Sequence, residues 1–348
     1  MIRTSTVRKD QEAVKVSDVG ERALISVIHR LQAIVPMGYL GIGDDAAYLP
    51  PSDLGWLVSQ DMLVEGVHFR WDWMTPEQLG EKAVAVNISD IAAMGGVPKA
   101  ILTSIALPAD TEVERVERLY RGMAKALDRY GAVLLGGDTV HSPSEMSLDV
   151  AVFGQPSVTG PILLNGAKPG DRLFVTGRLG AAHAGYTLLS HGVRWPSTSI
   201  QHRSVLQAHL APVARVEAGK QLGALAHAMT DISDGLLSEI RTMTRFGGIG
   251  VQIDADKMPI DAATRSVAKE YGEDALDFAL YGGEDYELLA AIPPSRAQQA
   301  EQLCLQCGVP ITEIGVVTDT LGIRVIRAGE EIAVDEGKSY HHFTVDPD

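Results

Sequence analysis

The stretch Gly41-Ile42-Gly43-Asp44-Asp45-Ala46-Ala47 sets two adjacent carboxylates between residues too small to shield them. Like charges side by side repel unless a cation or a hydrogen-bond donor offsets them. The same chemistry recurs along the chain. Asp61 follows the largely apolar run Trp56-Leu57-Val58-Ser59-Gln60, Asp90 follows Asn87-Ile88-Ser89, Asp138 follows Gly136-Gly137, and Asp231 and Asp234 bracket Ile232-Ser233. Hard cations such as Mg²⁺ take oxygen ligands, keep several waters and are commonly held by a few carboxylates together with substrate phosphates. These residues point to a dispersed acidic site that collects Mg²⁺ and, through it, phosphate.

Each candidate also has a structural reading. An aspartate in a turn ordinarily caps the local backbone. Asp231-Ile232-Ser233-Asp234-Gly235-Leu236 falls at a strand-to-helix junction, where Ser and Asp are favoured caps. Capping and anion binding can coexist there. Gly282-Gly283-Glu284-Asp285-Tyr286-Glu287 leads into an apolar strand. Its glycines permit unusual backbone or close ligand approach, or mark a plain turn. His68, between Val67 and Phe69, reads as a satisfied structural histidine. Cys304 and Cys307 share a predicted helix without a second cysteine pair and read as core packing. The chain carries neither a Gly-x-x-x-x-Gly-Lys-[Ser/Thr] loop nor the protein-kinase catalytic set. Gly166-Ala167-Lys168-Pro169-Gly170 is a turn, so phosphate would be handled through metal ions rather than a glycine cradle.

The elements that must position these residues follow from periodicity and punctuation. Glu21 to Ile34 predicts an amphipathic helix, and a short Gly-rich strand and turn carries Asp44 and Asp45. Trp56 to Ser59 predicts a buried strand that delivers Asp61 at its end. Pro76 to Met94 predicts a helix opened by Thr75 as N-cap, with Pro76 at the first position. Asn87 and Asp90, three apart on it, share a face. Strands are expected at Ile101 to Leu107, at Ala132 to Leu135 ahead of Gly136-Gly137-Asp138, and at Met146 to Gly154, with a helix from Thr111 to Tyr130. The Pro- and Gly-bearing segment from Gln155 to Gly170 reads as a boundary. Beyond it, strands at Arg172 to Thr176, Ala228 to Thr230, Val251 to Ile253 and Tyr286 to Ile292 alternate with helices at Ala181 to His191, Val213 to Leu225, Gly235 to Phe246 and Ser295 to Cys307. The expected organisation is a loose extension over 1–18, an α+β domain over 19–155 and an α/β domain over 156–348, with a site shared between the halves.

Bulk properties narrow the class. At 348 residues and 45% hydrophobic content, the chain is long enough for two ordinary domains with buried cores. A net charge of −15 argues against nucleic acid as a partner. No apolar run approaches a membrane span, and Met1 to Lys15 lacks the apolar region of a signal peptide. With only Cys304 and Cys307, the chain does not read as a disulfide framework. These features suggest a soluble, cytoplasmic protein.

Taken in order, several runs resemble the thiamine-monophosphate kinase family, part of the superfamily that includes aminoimidazole ribonucleotide synthetase. They are Gly41 to Ala47, Asp61-Met-Leu-Val-Glu-Gly-Val-His-Phe69, Asn87-Ile-Ser-Asp-Ile-Ala-Ala-Met-Gly95, Gly136-Gly-Asp-Thr139, Gly166-Ala-Lys-Pro-Gly-Asp171, Asp231-Ile-Ser-Asp-Gly-Leu236 and Gly282-Gly-Glu-Asp-Tyr-Glu-Leu288. The resemblance runs from about Gly20 to Phe343. It implies a two-domain architecture like that of aminoimidazole ribonucleotide synthetase, with an N-terminal domain that forms a homodimer through its strands. It also implies ATP-dependent phosphorylation of thiamine monophosphate to thiamine diphosphate, by direct in-line transfer without a phosphoenzyme, assisted by several Mg²⁺ ions. By motif, Asp44, Asp45, Ser59, Gln60, Asp61, Asp90, Asp138, Asp231 and Asp234 would hold metal. Gly137, Asp138 and Ser233 would contact nucleotide, and His68, Glu284 and Tyr340 would line the thiamine site, Tyr340 offering an aromatic face.

The chain departs from the family at three places. Gln60 stands where a hydroxyl residue is frequent, Leu164 where an arginine usually precedes the Asn165-Gly166-Ala167-Lys168 turn, and Val140-His141-Ser142 where another arginine is usual. Loss of a bidentate phosphate donor would weaken ATP binding or shift it to another base. A non-catalytic phosphate-binding member of the superfamily is the rival from another class. Selenophosphate synthetase and the hydrogenase-maturation relative need a reactive cysteine near one terminus, which Cys304 and Cys307 do not supply.

Overall fold

The computed structural model describes residues 14–19, 21–31, 35–39, 49–157 and 160–338. Asp44, Asp45, the strand and turn expected to carry them, and Tyr340 lie outside the described residues.

After α1 (Val16–Val19) and α2 (Glu21–Leu31), the first half is a four-stranded sheet under two long helices. Its strands are β1 (Leu57–Val64), β2 (Val97–Leu107), β3 (Val133–His141) and β4 (Ser147–Gln155), in the order β1-β4-β2-β3. The β2–β3 pair is parallel, as a helical crossover requires, and the other pairs are antiparallel. That crossover is α4 (Val113–Tyr130), and α3 (Pro76–Ala93) lies beside it. The two helices approach closely because both carry glycine at the crossing. A Cβ on Gly80 would strike the Leu119 carbonyl, and one on Gly122 the Glu77 carbonyl.

The α3 helix starts where the sequence indicates. Thr75 accepts from the Gln78 amide while the Gln78 side chain accepts from Thr75 N–H, a capping box ahead of Pro76. Leu79, Val84, Ile88 and Ile91 are fully buried, each contributing about 1.5–3 kcal/mol from burial. The helix is covered on nearly every side, because it packs on the first sheet and on elements of the second half as well.

The second half is a seven-stranded sheet in the order β11-β10-β7-β9-β5-β8-β6. Its strands are β5 (Arg172–Thr176), β6 (Ala228–Asp231), β7 (Gly250–Asp254), β8 (Leu288–Ile292), β9 (Ile311–Thr318), β10 (Gly322–Arg327) and β11 (Glu330–Ile332). The helices are α5 (Ala181–Ser190), α6 (Ile200–Leu210), α7 (Val216–Gly223), α8 (Leu236–Gly247), α9 (Ala262–Tyr271), α10 (Ala275–Tyr281) and α11 (Ala297–Gln306). Strand and helix alternate as expected, but β10 with β7 is the parallel pair and the remaining pairs are antiparallel. The halves meet along α3. Gly219 of α7 lies against the Ala92 carbonyl, and Gly223 against Gly95. Among the described residues, no helix is long and apolar enough to cross a membrane.

Several expected boundaries shift. Asp61 does not end its strand, because β1 runs from Leu57 to Val64 and the carboxylate sits inside it. Ser59 and Asp61 alternate toward α3, where the Ser59 hydroxyl donates to Asp90 and the Asp61 amide to Asn87, so they do not break the strand. Asp138 likewise lies within β3, not after it. Tyr286 falls outside β8, since its φ of +50° is left-handed. The expected helix over Val213 to Leu225 is shorter, and α6, α9 and α10 have no counterpart in the sequence reading. Cys304 is fully buried, as the packing reading requires.

Candidate active site

A cavity of about 750 Å³ opens between the two halves. Its first wall is built by β1 and α3. Ser59 donates to Asp90 Oδ2 at 2.5 Å, and the Asp61 amide donates to Asn87 Oδ1 at 2.9 Å, so the strand and helix are tied at the carboxylates. Asn87 is oriented by its own bond to the Ala83 carbonyl. The second wall is the turn from β6 into α8. There Ser89 of α3 donates to Asp231 Oδ2 at 2.6 Å, linking the halves through one buried hydrogen bond. Asp61, Asp90, Asp231 and Asp234 all line the cavity, with Ser233 beside them and Gln60 at its edge.

The electrostatics at this end are those of unmatched charge. Burial pushes the Asp90 carboxyl up to about 7, and the neighbouring Asp231 adds to the effect. Burial also raises Asp231, with Asp61 and Asp234 adding and the Ser89 hydroxyl opposing. Asp61 is raised by burial and by Asp149 and Asp234. Glu239, in the first turn of α8, is pushed up to about 8 by burial and by Asp231. None of these four has a lysine or arginine ion-pair partner among the described residues.

The opposite end behaves differently. Lys82, only 1% exposed, places Nζ 2.7 Å from Glu284 Oε1, and His209 Nδ1 lies 3.0 Å from Oε2. Against the burial penalty, Lys82 and His209 hold Glu284 well below the usual carboxylate range. Glu284 has a left-handed φ of +67°, close to Tyr286 at +50°. Strain of this kind costs about 1–3 kcal/mol per residue and persists where surroundings over-determine it. Here Glu284 N–H donates to the Ser233 carbonyl and Tyr286 N–H to the Ile232 carbonyl, which locks the Gly282–Glu287 segment onto the Asp231–Asp234 turn. Glu287 takes a bidentate Arg215 at 2.6 and 2.7 Å and a bond from Thr176, and so anchors the same segment from below.

The structure thus brings together Ser59, Gln60, Asp61, Asp90, Asp231, Ser233, Asp234, His68 and Glu284 around one cavity. His68 is satisfied, accepting from Val64 N–H on Nδ1, and it also lines the wall. Asp138 and Gly137 are not brought to the cavity. Asp138 pairs in register with Ser104, which faces Asp149, so it lies on the outer face of the sheet, with β1 at the opposite edge. Gln60 shares that outer face and donates to Asp149 at 2.7 Å. Leu164 packs against the core.

Sequence reading did not single out Lys82, His209, Tyr186, Trp73 or Glu239. For Lys82 a signal existed, since Lys82, Val86 and Asp90 are spaced by four on one helix and share a face. His209 sits on α6, an element without strong periodicity.

The donor set suits a hard cation, being all oxygen, acidic and electrostatically unrelieved. Among the described residues, no three acidic, His or Cys side chains form a ready cage.

Comparison with known proteins agrees with the architecture. Residues 43–155 match the family model for the AIR synthase related protein N-terminal domain, and residues 168–327 the model for the C-terminal domain. The thiamine-monophosphate kinase of Bacillus subtilis is 34% identical over 307 residues, covering 87% of this chain and 93% of the relative. That of Corynebacterium glutamicum is 40% identical over 281 residues, covering 79% and 82%. The crystal structure of thiamine-monophosphate kinase from Stenotrophomonas maltophilia superposes with a TM-score of 0.80 at 33% identity, covering 89% of this chain and 97% of that one. A structure described as AaThiL complexed with AMPPCP and TMP gives a TM-score of 0.75 at 33% identity, covering 96% and 100%. Two AIR synthase related domains in order, joined by a shared acidic cavity and matched nearly end to end by these relatives, place the chain in the thiamine-monophosphate kinase family.

Proposed function

We propose that this chain transfers the γ-phosphoryl group of ATP to thiamine monophosphate, giving thiamine diphosphate and ADP. The observation that carries the reading is the convergence of Asp61, Asp90, Asp231 and Asp234 on one cavity between the halves, with their charges unmatched. The relatives' names and the complex with AMPPCP and TMP supply the substrates. An oxygen of the acceptor monophosphate attacks the γ-phosphorus in line, a new P–O bond forms, and the bond to the bridging oxygen breaks as ADP leaves. Phosphoryl transfer of this kind is mostly positioning and charge stabilisation.

Asp61, Asp90, Asp231 and Asp234 would hold Mg²⁺, with Ser59 orienting Asp90 and Gln60 at the rim. When bound, Mg²⁺ would neutralise phosphate oxygens. Asp44, Asp45, Asp138 and Gly137 enter this set on the family resemblance alone. Ser233 would contact nucleotide, and His68, Glu284 and Tyr340 the acceptor. The hydrogen bonds that tie β1 to α3 at Ser59 and Asn87 hold the carboxylates of the first wall in place.

A homodimer, a division near 155–156 and a cytoplasmic location belong to the same reading. For the dimer, the support is the outer face of the first sheet, where Val58 is 61%, Met62 54% and Val140 51% exposed. Met62→Glu should yield a monomer by light scattering; a monomeric wild type would remove this part of the proposal.

The activity is tested by ADP release with purified protein, Mg²⁺, ATP and thiamine monophosphate. Acceptor-dependent ADP formation that disappears in Asp61→Asn and Asp90→Asn, with circular dichroism unchanged, is expected. Tight acceptor binding without turnover in the wild type would favour the non-catalytic reading.

A further inference from the structure

The turn that carries Asp231 and Asp234 has a support that does not line the cavity. Arg215 grips Glu287 through a fork, with Nε 2.7 Å from Oε2 and a terminal nitrogen 2.6 Å from Oε1. Glu287 is only 3% exposed. Thr176, at the end of β5, donates to Oε2 at 2.7 Å and accepts from the Leu288 amide. Gly177, left-handed at φ +59°, leaves room for this carboxylate, because a Cβ there would strike it. The two partners are fixed to different parts of the molecule. On the Arg215 side, Ala214 N–H donates to the Tyr130 hydroxyl of α4 at 2.9 Å, and α7, which starts at Val216, is docked on α3. On the Glu287 side, the main-chain carbonyl accepts from Ile232 N–H at 2.8 Å, between Asp231 and Asp234.

We propose that Arg215 is a positioning residue for the metal site, its fork on Glu287 setting the Asp231–Asp234 turn against Asp61 and Asp90. The proposal rests on the kinase reading for the metal-assisted reaction. Through Tyr130 and α7, Arg215 is referenced to the first half, whose α3 carries Asp90. Through Ile232, Glu287 is referenced to the turn. The Ser89 hydroxyl gives that turn one direct tie to α3. A single hydrogen bond is a pivot, and Glu287 supplies the second attachment that stops rotation about it. Two parallel N–H···O bonds fix direction as well as distance, which a lysine ammonium would not do. Stability alone does not call for this pair, because well-packed apolar side chains of similar volume often replace a buried ion pair without loss.

The test compares wild type with the double variant Arg215→Met/Glu287→Leu and with Arg215→Lys. Without metal, the double variant should melt at or above the wild-type temperature, since it removes both charges together. The Mg²⁺ concentration needed for a given rise in melting temperature should nevertheless increase about tenfold in both variants, the scale on which groups behind metal ligands act. The Mg²⁺ needed for half-maximal turnover should move with it, and excess Mg²⁺ should restore part of the lost rate. A double variant whose Mg²⁺ requirement stays within twofold of wild type overturns the proposal and leaves the kinase reading standing, because the pair is then purely structural. If the double variant does not fold, Arg215→Lys decides by the same twofold criterion. A Mg²⁺-dependent rise in wild type without ADP formation removes the kinase reading, and the melting comparison still decides the role of Arg215. No rise in wild type removes the bound metal and this proposal with it.

Discussion

The two ends of the cavity hold carboxylates in opposite electrical states. Glu284 is matched by Lys82 and His209 and stays ionised, whereas Asp61, Asp90 and Asp231 face one another with no lysine or arginine ion pair among the described residues and are driven toward protonation. The lesson is that buried acidity alone does not mark a metal site. A charge already satisfied by the fold positions its neighbours, and a charge left unsatisfied awaits a partner from outside.

Substitutions should split along this line. The largest effect is expected for Asp61→Asn and Asp90→Asn, with turnover falling by roughly a thousandfold or more, the loss of about 4 kcal/mol of charge stabilisation. Their melting temperatures without metal should hold or rise, because each change removes like-charge repulsion. At the other end the sign reverses. Lys82→Met leaves Glu284 without its cation, and breaking a buried pair costs about 3–5 kcal/mol. The part-exposure of Glu284 places the expected loss at the low end of that range, read by urea denaturation. If Lys82→Met is as stable as wild type, the contrast between the ends fails.

A smaller effect concerns Glu239. Its carboxyl is pushed up to about 8 in the folded chain, above the ordinary unfolded value near 4.3. The folded state therefore binds the proton more tightly. The associated stability is fully present below about pH 4 and is lost as pH rises through about 8. Glu239→Gln should flatten the decline of melting temperature between pH 6 and 9 by a few degrees, measured in matched buffers. An unchanged slope would remove Glu239 from the unmatched set.

Much of the carboxylate end was legible in the sequence, because Asp61, Asp90, Asp231 and Asp234 each sit beside small or apolar residues where a carboxylate is conspicuous. Helix α3 was legible too, since Thr75 and Pro76 spell its start. The matched end was not. Lys82 reads as one charge among many in a helix, and only the fold shows it covered on every side. His209 and Tyr186 depend on how α5 and α6 pack, which no local pattern specifies. Asp138 shows the converse limit. Its motif stands out in the sequence, but β3 lies at the sheet edge opposite β1 and Asp138 does not line the cavity, so its place in the site rests on the family resemblance. The end of β1 was misjudged because its polar residues alternate toward α3, where Asp90 and Asn87 bond them and let the strand continue.

The most direct test is the change in melting temperature on adding Mg²⁺ at pH 8, where the carboxylates of wild type are ionised, compared among wild type, Asp90→Asn and Glu284→Gln. Mg²⁺ should raise the melting temperature of wild type and of Glu284→Gln by several degrees, with the rise lost in Asp90→Asn and diminished in wild type at pH 5.5, where protons compete with the cation. An equal rise in all three proteins, or none in wild type, would contradict the assignment of the unmatched carboxylates to a metal ion.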